Sequence, residues 1–331
     1  MESRKRKIND ERKKLRRRKK QLIVTLSICL AVLAGIFVAT VKYEKDNNKT
    51  STEAEAKSEG DENIDSTKEE KKEEHDTKNA YGYLALEDDP DAEDAMQVMD
   101  TTERLLKGQA KYPVRTDGKK VAYLTFDDGP STTNTPTVLN ILKKNNIKAT
   151  FFVLGYRVDE NEKSKEILRE TVKEGHAIGN HTYSHNYDIL YPISSTTGKR
   201  TINPENFMAE IDKTNKALKG VLGDDFNTRV IRFPGGYWSW EGRTQIKPIL
   251  EGRKIAYINW NTLNQDAEGK PNKTAAELIE ITKNNLDKMG KDADSVVFLM
   301  HDTYGKEETA KALQGIIDVF KERGFEFKSM K

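Results

Sequence analysis

Cysteine and histidine are both scarce in this sequence. One cysteine occurs among 331 residues, and this residue, Cys29, lies within an uncharged stretch. An intrachain disulfide and a metal site built on several cysteines are therefore excluded. Five histidines are present, so an imidazole-based metal site has few candidate ligands. The net charge of +2 provides no overall basic field, which argues against a nucleic-acid partner.

Hydrophobic residues are also few, at 35%, but one apolar stretch near the N-terminus stands out. Residues 21–41 carry no charge and follow a basic segment, residues 1–20, with twelve Lys or Arg against three acids. As a helix, this stretch spans roughly 30 Å, the hydrocarbon thickness of a bilayer. We expect a single-pass membrane anchor in the lipid bilayer, with a cytoplasmic N-terminus and the rest outside the cell. A cleaved signal peptide is the alternative, although its apolar region is normally shorter.

Residues 42–79 lack apolar side chains almost entirely and carry thirteen acids against eight basic residues. Such a segment buries too little surface to offset the entropy lost on ordering. We expect a disordered stalk with a root-mean-square reach of roughly 35 Å, which would let a tethered domain reach into a cell wall. A charged helix is the alternative interpretation.

The rest of the chain is divided into a lead-in segment, residues 80–117, with a helix near Asp94–Lys107, and a domain over residues 118–331. In the domain, short apolar runs alternate with segments of helical pattern. This alternation predicts an α/β fold with a parallel sheet and helices packed outside it. About seven such units favour a barrel over an open sheet. The predicted strands are 121–126, 149–155, 176–181, 229–234, 254–260 and 295–301.

Polar residues cluster where the predicted strands end. They are Asp127, Asp128, His181, His185, Arg232, Asp266 and His301. In a βα barrel the carboxyl ends of the strands and the following loops share one face, where the chemistry takes place. The spacing of four between His181 and His185 allows both imidazoles to reach one ion.

Each of these features also has a purely structural interpretation. The run Asp127–Pro130 is typical of a turn, because Asp bonds to its own backbone and Gly adopts positive φ. His301 at the end of a buried strand is equally compatible with a hydrogen-bonded core histidine. Taken together, these features favour the functional interpretation, since three of the five histidines fall on the same predicted face.

Four motifs, in order, carry a family resemblance. TFDDGP at 125–130, HTYSH at 181–185, RFPGG at 232–236 and FLMH at 298–301 resemble the polysaccharide deacetylases of carbohydrate esterase family 4. The resemblance covers about residues 118–330. The preceding anchor and stalk are similar to those of Gram-positive peptidoglycan N-acetylglucosamine deacetylases.

The resemblance implies a distorted (β/α) barrel of about seven strands, a divalent metal that is usually zinc, and hydrolysis of N-acetyl groups. It assigns Asp128, His181 and His185 as metal ligands, Asp127 as base, His301 as acid, Arg232 as the arginine that orients the base, Asp266 as the aspartate that tunes the acid, and the Tyr237 backbone N–H as the oxyanion donor. A carboxylate beside an arginine and a dication is expected to have a lowered pKa.

The fourth motif of the family is degenerate here. Asn261 stands where the resemblance implies a first aspartate, and Ala267 replaces a tryptophan that helps to wall the acetyl pocket. We expect Pro234, Gly236, Trp238 and Phe298 to contact substrate. The insertion at residues 186–203 follows the histidine pair and is expected to line a substrate groove.

The predicted function is N-deacetylation of N-acetylglucosamine-type sugars in a cell-wall glycan. The polymer is peptidoglycan, a secondary wall polysaccharide, or the unit that links this polysaccharide to peptidoglycan. Two alternatives stay open: a catalytically weak wall-binding module, which the degenerate fourth motif favours, and an esterase acting on O-acetyl groups, because an alkoxide leaves more easily than an amine.

Overall fold

The computed structural model describes residues 81–331. The predicted basic segment (1–20), membrane anchor (21–41) and stalk (42–79) lie outside the described residues. Within residues 81–331, no helix combines the length and the apolar character needed to cross a membrane.

Ten short strands, all paired in parallel, form two sheets in the described part of the chain. The strands are β1 (Ala92–Glu93), β2 (Lys120–Gly129), β3 (Thr150–Val153), β4 (Ala177–Asn180), β5 (Val230–Ile231), β6 (Ala256–Tyr257), β7 (Thr262–Leu263), β8 (Ser295–His301), β9 (Phe325–Phe327) and β10 (Ser329–Met330). Seven of them run in the order β6-β5-β4-β3-β2-β8-β7, β9 pairs with the start of β2, and β1 pairs with β10. The seven-stranded sheet curls into a half-barrel that leaves β6 and β7 unpaired with each other within residues 81–331.

Nine α-helices connect and cover these strands in residues 81–331. They are α1 (Ala95–Leu106), α2 (Asn134–Asn145), α3 (Gly155–Asp159), α4 (Glu162–Lys173), α5 (Tyr187–Leu190), α6 (Pro204–Leu222), α7 (Arg243–Gly252), α8 (Ala275–Met289) and α9 (Glu307–Glu322). Local sequence fixes several of their starts. Asn203 caps α6 ahead of Pro204, and Thr274 forms a reciprocal capping box with Glu277 at α8.

Alternation along the central strands separates two cores. In β2, Ala122, Leu124 and Phe126 pack against the helix layer, whereas Val121 and Tyr123 belong to a second cluster on the concave side of the sheet. Since side chains of a strand point alternately to its two faces, Asp127 continues the concave set.

The lead-in segment contributes directly to the concave core. Helix α1 begins after Asp94, whose side chain accepts a hydrogen bond from the Met96 N–H. Its residues Ala95 and Val98 are buried in the same cluster as Val121 and Tyr123. The helix predicted near Asp94–Lys107 therefore exists and closes the concave side of the half-barrel.

The α/β alternation and the seven-stranded curl of the sheet are confirmed. Two predicted strands are much shorter in the structure. Only β5 forms within the predicted strand 229–234, and only β6 within 254–260. Strands β1, β7, β9 and β10 were not predicted. Each is only two or three residues long, too short to give an apolar run that stands out in the sequence.

Candidate active site

The end of β2 directs two adjacent carboxylates to different places. Asp127 is 3% exposed and lies on the concave side of the sheet. Asp128 adopts a φ of 70°, a left-handed conformation that Asp tolerates better than most residues. This backbone turn separates the two side chains, so that one carboxylate stays buried while the other reaches the loop that follows β4.

Asp128, His181 and His185 form a compact set of metal-ligating atoms. One donor atom from each residue lies within 4.8 Å of the others. The Asp128 Oδ1 atom is 3.5 Å from His181 Nε2 and 3.6 Å from His185 Nε2. His181 directly follows β4, and the intervening loop returns His185 to it with a φ of 53° at that residue.

The chemistry of this donor set fits a divalent metal. Asp128 Oδ1 is buried without a hydrogen-bond partner in the described residues, which is costly unless a cation compensates it. The Nδ1 atom of His181 lies 2.8 Å from the Arg232 carbonyl oxygen. With the Nδ1–H donated to this carbonyl, the Nε2 lone pair is available to a metal ion. Burial lowers the pKa of His181 to about 3, so the ring is neutral, as a metal ligand must be.

Asp127 is held by a buried arginine. The Nη1 atom of Arg232 lies 2.7 Å from Asp127 Oδ1 and 2.8 Å from Thr125 Oγ1. Its Nε–H donates to the Ile258 carbonyl, and the guanidinium lies 4.1 Å from the Phe152 ring centroid. The base and its arginine are thus fixed from several directions.

Opposing effects act on the pKa of Asp127, and the lowering expected beside an arginine and a dication stays a prediction. Burial raises the pKa of this carboxyl above its ordinary value, and the charges of Arg232 and His301 only oppose that effect. The physical reason is the loss of solvation on the concave side of the half-barrel. An upward shift makes the carboxylate a stronger proton acceptor.

His301 lies beside Asp127 in the sheet. The two residues are direct partners in the β2–β8 ladder, and neighbouring strands lie about 4.8 Å apart. Asp266 holds the imidazole, with Oδ1 2.8 Å from His301 Nδ1 and Oδ2 accepting from the His301 backbone N–H. Thr309 Oγ1 donates to the same carboxylate.

The Asp266 contact controls the charge of His301. Burial by itself lowers the pKa of His301, but the hydrogen bond and charge of Asp266 outweigh it and raise the pKa to about 9. Burial acts upward on Asp266, yet the bond to His301 leaves its pKa below the ordinary value. His301 is therefore protonated at neutral pH and Asp266 ionised.

The glycine-rich turn contradicts the prediction for Tyr237. Its backbone N–H donates to Asn259 Oδ1 at 3.1 Å, and Asn259 Nδ2 in turn donates to Glu103 Oε1 at 2.7 Å. Asn259 and Glu103 are 6% exposed, so this amide is already used in a buried network and is not a free oxyanion donor. The Gly236 N–H donates to the Phe233 carbonyl.

Trp238 and Pro234 lie near the turn but in different surroundings. Trp238 is 42% exposed, and its Nε1–H donates to Glu103 on α1. Lys107 and Arg243 lie 4.9 and 5.2 Å from its ring. Pro234 is buried, and its carbonyl accepts a hydrogen bond from Trp240 Nε1. No contact joins Trp238 to the metal-ligating set in the described part of the chain.

The prediction that Phe298 contacts substrate is wrong. Its side chain is fully buried in the core under the helix layer and lies 5.1 Å from the Phe320 ring. Phe298 and His301 are three positions apart on one strand, so their side chains point to opposite faces.

The two altered positions of the fourth motif have clear places. Asn261 lies at the opposite end of β8 from His301, where its side chain bonds to Val297 N–H, the Ser295 carbonyl and the Tyr112 hydroxyl. Ala267 is exposed and lines a polar cleft of about 550 Å³ that also borders Asp266.

Several residues with a part in the site were missed by the sequence analysis: Glu103, Thr125, Asn259, Tyr187 and Asp302. Asp302 lies fully buried next to His301 and accepts a hydrogen bond from Thr135 Oγ1. Burial raises its pKa to about 7. Its position after a strand-end histidine was the one available signal, whereas Glu103 and Asn259 are polar residues whose partners lie far away in sequence.

Comparisons with known proteins agree with this geometry. A family model described as polysaccharide deacetylase matches residues 114–247. A peptidoglycan-N-acetylglucosamine deacetylase of Bacillus cereus is 33% identical over 214 residues, covering 64% of this chain and 86% of the relative.

Solved structures show the same fold. A Streptococcus mutans CE4 esterase aligns with a TM-score of 0.60 at 33% identity, covering 72% of this chain and 92% of that one. The catalytic domain of a peptidoglycan N-acetylglucosamine deacetylase from Eubacterium rectale aligns with a TM-score of 0.52 at 30% identity, covering 67% and 92%.

Proposed function

The chain belongs to the polysaccharide deacetylases of carbohydrate esterase family 4, which hydrolyse amide bonds of N-acetylated sugars, and from this premise we propose its substrate, its metal and its mechanism. We propose that it is a zinc-dependent enzyme that removes acetyl groups from N-acetylglucosamine units of a cell-wall polymer. One observation carries the proposal. A base, Asp127, and a protonated histidine, His301, are ladder partners beside a set of three metal-ligating residues.

Asp128, His181 and His185 would hold the metal. A bound zinc ion polarises an amide carbonyl and lowers the pKa of a bound water. The neutral His181 ring and the unpaired Asp128 oxygen are the features that favour a divalent cation. His and carboxylate ligands suit zinc.

Asp127 acts as the general base. Its carboxylate takes a proton from the water that adds to the acetyl carbonyl carbon. Arg232 holds one carboxylate oxygen at 2.7 Å, and this contact keeps the other oxygen, Oδ2, toward His181, whose Nε2 lies 3.5 Å away. The base therefore faces the metal-ligating atoms, where the water is needed.

His301 acts as the general acid. When the C–N bond breaks, the amine nitrogen takes the proton of His301, and the products are a glucosamine unit and acetate. The carboxylate of Asp266 keeps the imidazole charged and oriented. Together the base and acid move one proton from water to the leaving nitrogen.

The carbonyl oxygen gains negative charge as water adds and needs a fixed hydrogen-bond donor. Tyr237 and Gly236 use their amides elsewhere. We assign the donor role to the Gly235 N–H, which has no acceptor in residues 81–331. Gly235 is exposed and has a φ of 73°, a left-handed conformation that glycine adopts readily.

The wall substrate is supported by similar proteins, since the Bacillus cereus and Eubacterium rectale relatives are both named peptidoglycan N-acetylglucosamine deacetylases. The uncharged stretch at residues 21–41 and the preceding basic segment support a membrane-anchored enzyme with its catalytic domain on the wall side. The charged segment at residues 42–79 supports a flexible tether between the two.

Acetate release tests this function. The full-length chain, purified in detergent and loaded with zinc, is incubated with intact Gram-positive cell walls, peptidoglycan freed of secondary polymers, and the isolated secondary polysaccharide. We expect acetate from wild type, and a loss of about 10²–10⁴-fold in Asp127→Asn, because the general base is removed. Asp292→Asn, an exposed residue at the other end of β8, is the matched control.

The fraction that yields acetate identifies the polymer. Release of O-acetyl groups alone would assign the chain to ester hydrolysis instead. Zinc binding without acetate from any fraction would leave only the wall-binding alternative.

A further inference from the structure

The insertion after the histidine pair places a tyrosine against the metal-ligating set. Tyr187 opens helix α5, which Asn186 caps by accepting the Asp188 N–H. The ring centroid of Tyr187 is 5.3 Å from that of His185, with the planes tilted by 31°. The start of the insertion is therefore part of the site wall.

Other aromatic residues fix the orientation of this ring. Trp240 meets it edge-on at 5.0 Å, and Tyr191 lies 5.6 Å away. Tyr191 and Trp240 stack on each other at 4.2 Å, and Trp240 is tied to the Pro234 carbonyl by its indole N–H. Because neighbouring rings pack around the Tyr187 ring, its hydroxyl is the part of the side chain that is available to contact a substrate.

The hydroxyl of Tyr187 lies over the glycine-rich turn. A Cβ atom placed on Gly235 would be 2.9 Å from the Tyr187 oxygen. Within residues 81–331, neither this hydroxyl nor the Gly235 N–H has a hydrogen-bond partner. The two donors are therefore close to each other, and the Tyr187 ring contacts His185, a candidate metal ligand. A phenol has an ordinary pKa of about 10 and is protonated at neutral pH.

We propose that the Tyr187 hydroxyl is a second hydrogen-bond donor, beside the Gly235 amide, to the acetyl carbonyl oxygen of the substrate. The inference rests on the proposed deacetylase function. The O–H bond is not broken, and the contact shortens as negative charge develops on the oxygen. A donor of this kind stabilises the transition state more than bound substrate, so its loss lowers kcat rather than raising KM.

Tyr187→Phe tests the inference, with Tyr191→Phe as the matched control. Tyr191 belongs to the same aromatic group, but its buried hydroxyl has no hydrogen-bond partner in the described residues. Acetate release from N-acetylchitopentaose is measured on the zinc-loaded, full-length chain. We expect kcat to fall about 100-fold in Tyr187→Phe, with little change in KM, and to stay near wild type in Tyr191→Phe.

Two binding measurements separate this role from a structural one. Calorimetry should show unchanged zinc affinity in both variants. Acetate, whose oxygen stands in for the carbonyl oxygen, should bind about fivefold more weakly to Tyr187→Phe only. Wild-type kcat in Tyr187→Phe, or a loss shared equally by both variants, overturns the inference. A wild type that releases no acetate from N-acetylchitopentaose or from any wall fraction would instead overturn the proposed function.

Discussion

The strand side and the loop side of the site are stabilised by different interactions. On the strand side, Asp127 and His301 are held by buried charged partners, Arg232 and Asp266, at 2.7 and 2.8 Å. On the loop side, the residues that face the site are held by ring contacts among Tyr187, Tyr191 and Trp240 and by the hydrogen bonds that join Tyr237, Asn259 and Glu103. We therefore expect charge-changing substitutions on the strand side to alter proton transfer. Substitutions on the loop side should alter the positions of the groups that surround the substrate.

On the strand side, Asp266→Asn should lower activity more than a substitution of Glu103 on the loop side. Without the carboxylate charge, the pKa of His301 falls from about 9. Since the acid must be protonated, the alkaline limb of kcat/KM should move to lower pH, with activity above neutral pH lower by about 10²-fold.

Thr309→Val is the control, because it removes one hydrogen bond from Asp266 but leaves the charge. Because the charge beside His301 is kept, the limb should stay close to its wild-type position. An unchanged alkaline limb in Asp266→Asn would show that Asp266 does not set the charge of His301.

The same shift affects stability with a defined sign. The folded-state pKa of His301 is raised from 6.5 to about 9, so its stabilising contribution is complete below pH 6.5 and is lost as pH rises through about 9. The free energy of unfolding, measured by urea titration, should therefore fall less steeply across this interval in Asp266→Asn than in wild type.

Glu103→Ala tests the loop side and should have the smaller effect. It removes the acceptor for Asn259 and Trp238, and the Asn259 amide then holds the Tyr237 N–H less firmly. We expect a loss of about 1–3 kcal/mol in unfolding free energy, a fall in kcat of about tenfold and unchanged zinc affinity.

Glu103→Gln keeps an acceptor oxygen at the same place and should recover most of the lost activity. The alkaline limb set by His301 should not move in either variant. A shifted limb would contradict the separation of the two sides, and equal losses in both variants would show that the hydrogen bonds of Glu103 do not position the turn.

The strand side could be predicted from the sequence because its residues follow apolar runs. Asp127 and His301 come at the ends of β2 and β8, and parallel strands bring such ends to one edge. The same reasoning failed for Phe298, because the motif was carried over without counting the alternation of side chains along the strand.

The loop side could not be predicted in the same way. The Asn259–Glu103 bond joins residues 156 positions apart, and the Tyr237–Asn259 bond joins residues 22 positions apart. Whether the Tyr237 amide is free or bound depends on these tertiary contacts and on positive φ values at Gly235 and Gly236. No local pattern in the sequence reports them.

Zinc binding and acetate release, measured on the same samples, test whether Asp128, His181 and His185 form a catalytic metal site. Zinc is titrated calorimetrically into chelator-treated, full-length wild type and Asp128→Asn. We expect one tight zinc per wild-type chain at the three-residue set, acetate release in proportion to its occupancy, and loss of both in Asp128→Asn. Full acetate release from protein that retains no metal, or unchanged tight zinc binding in Asp128→Asn, would show that these three residues do not form the catalytic metal site.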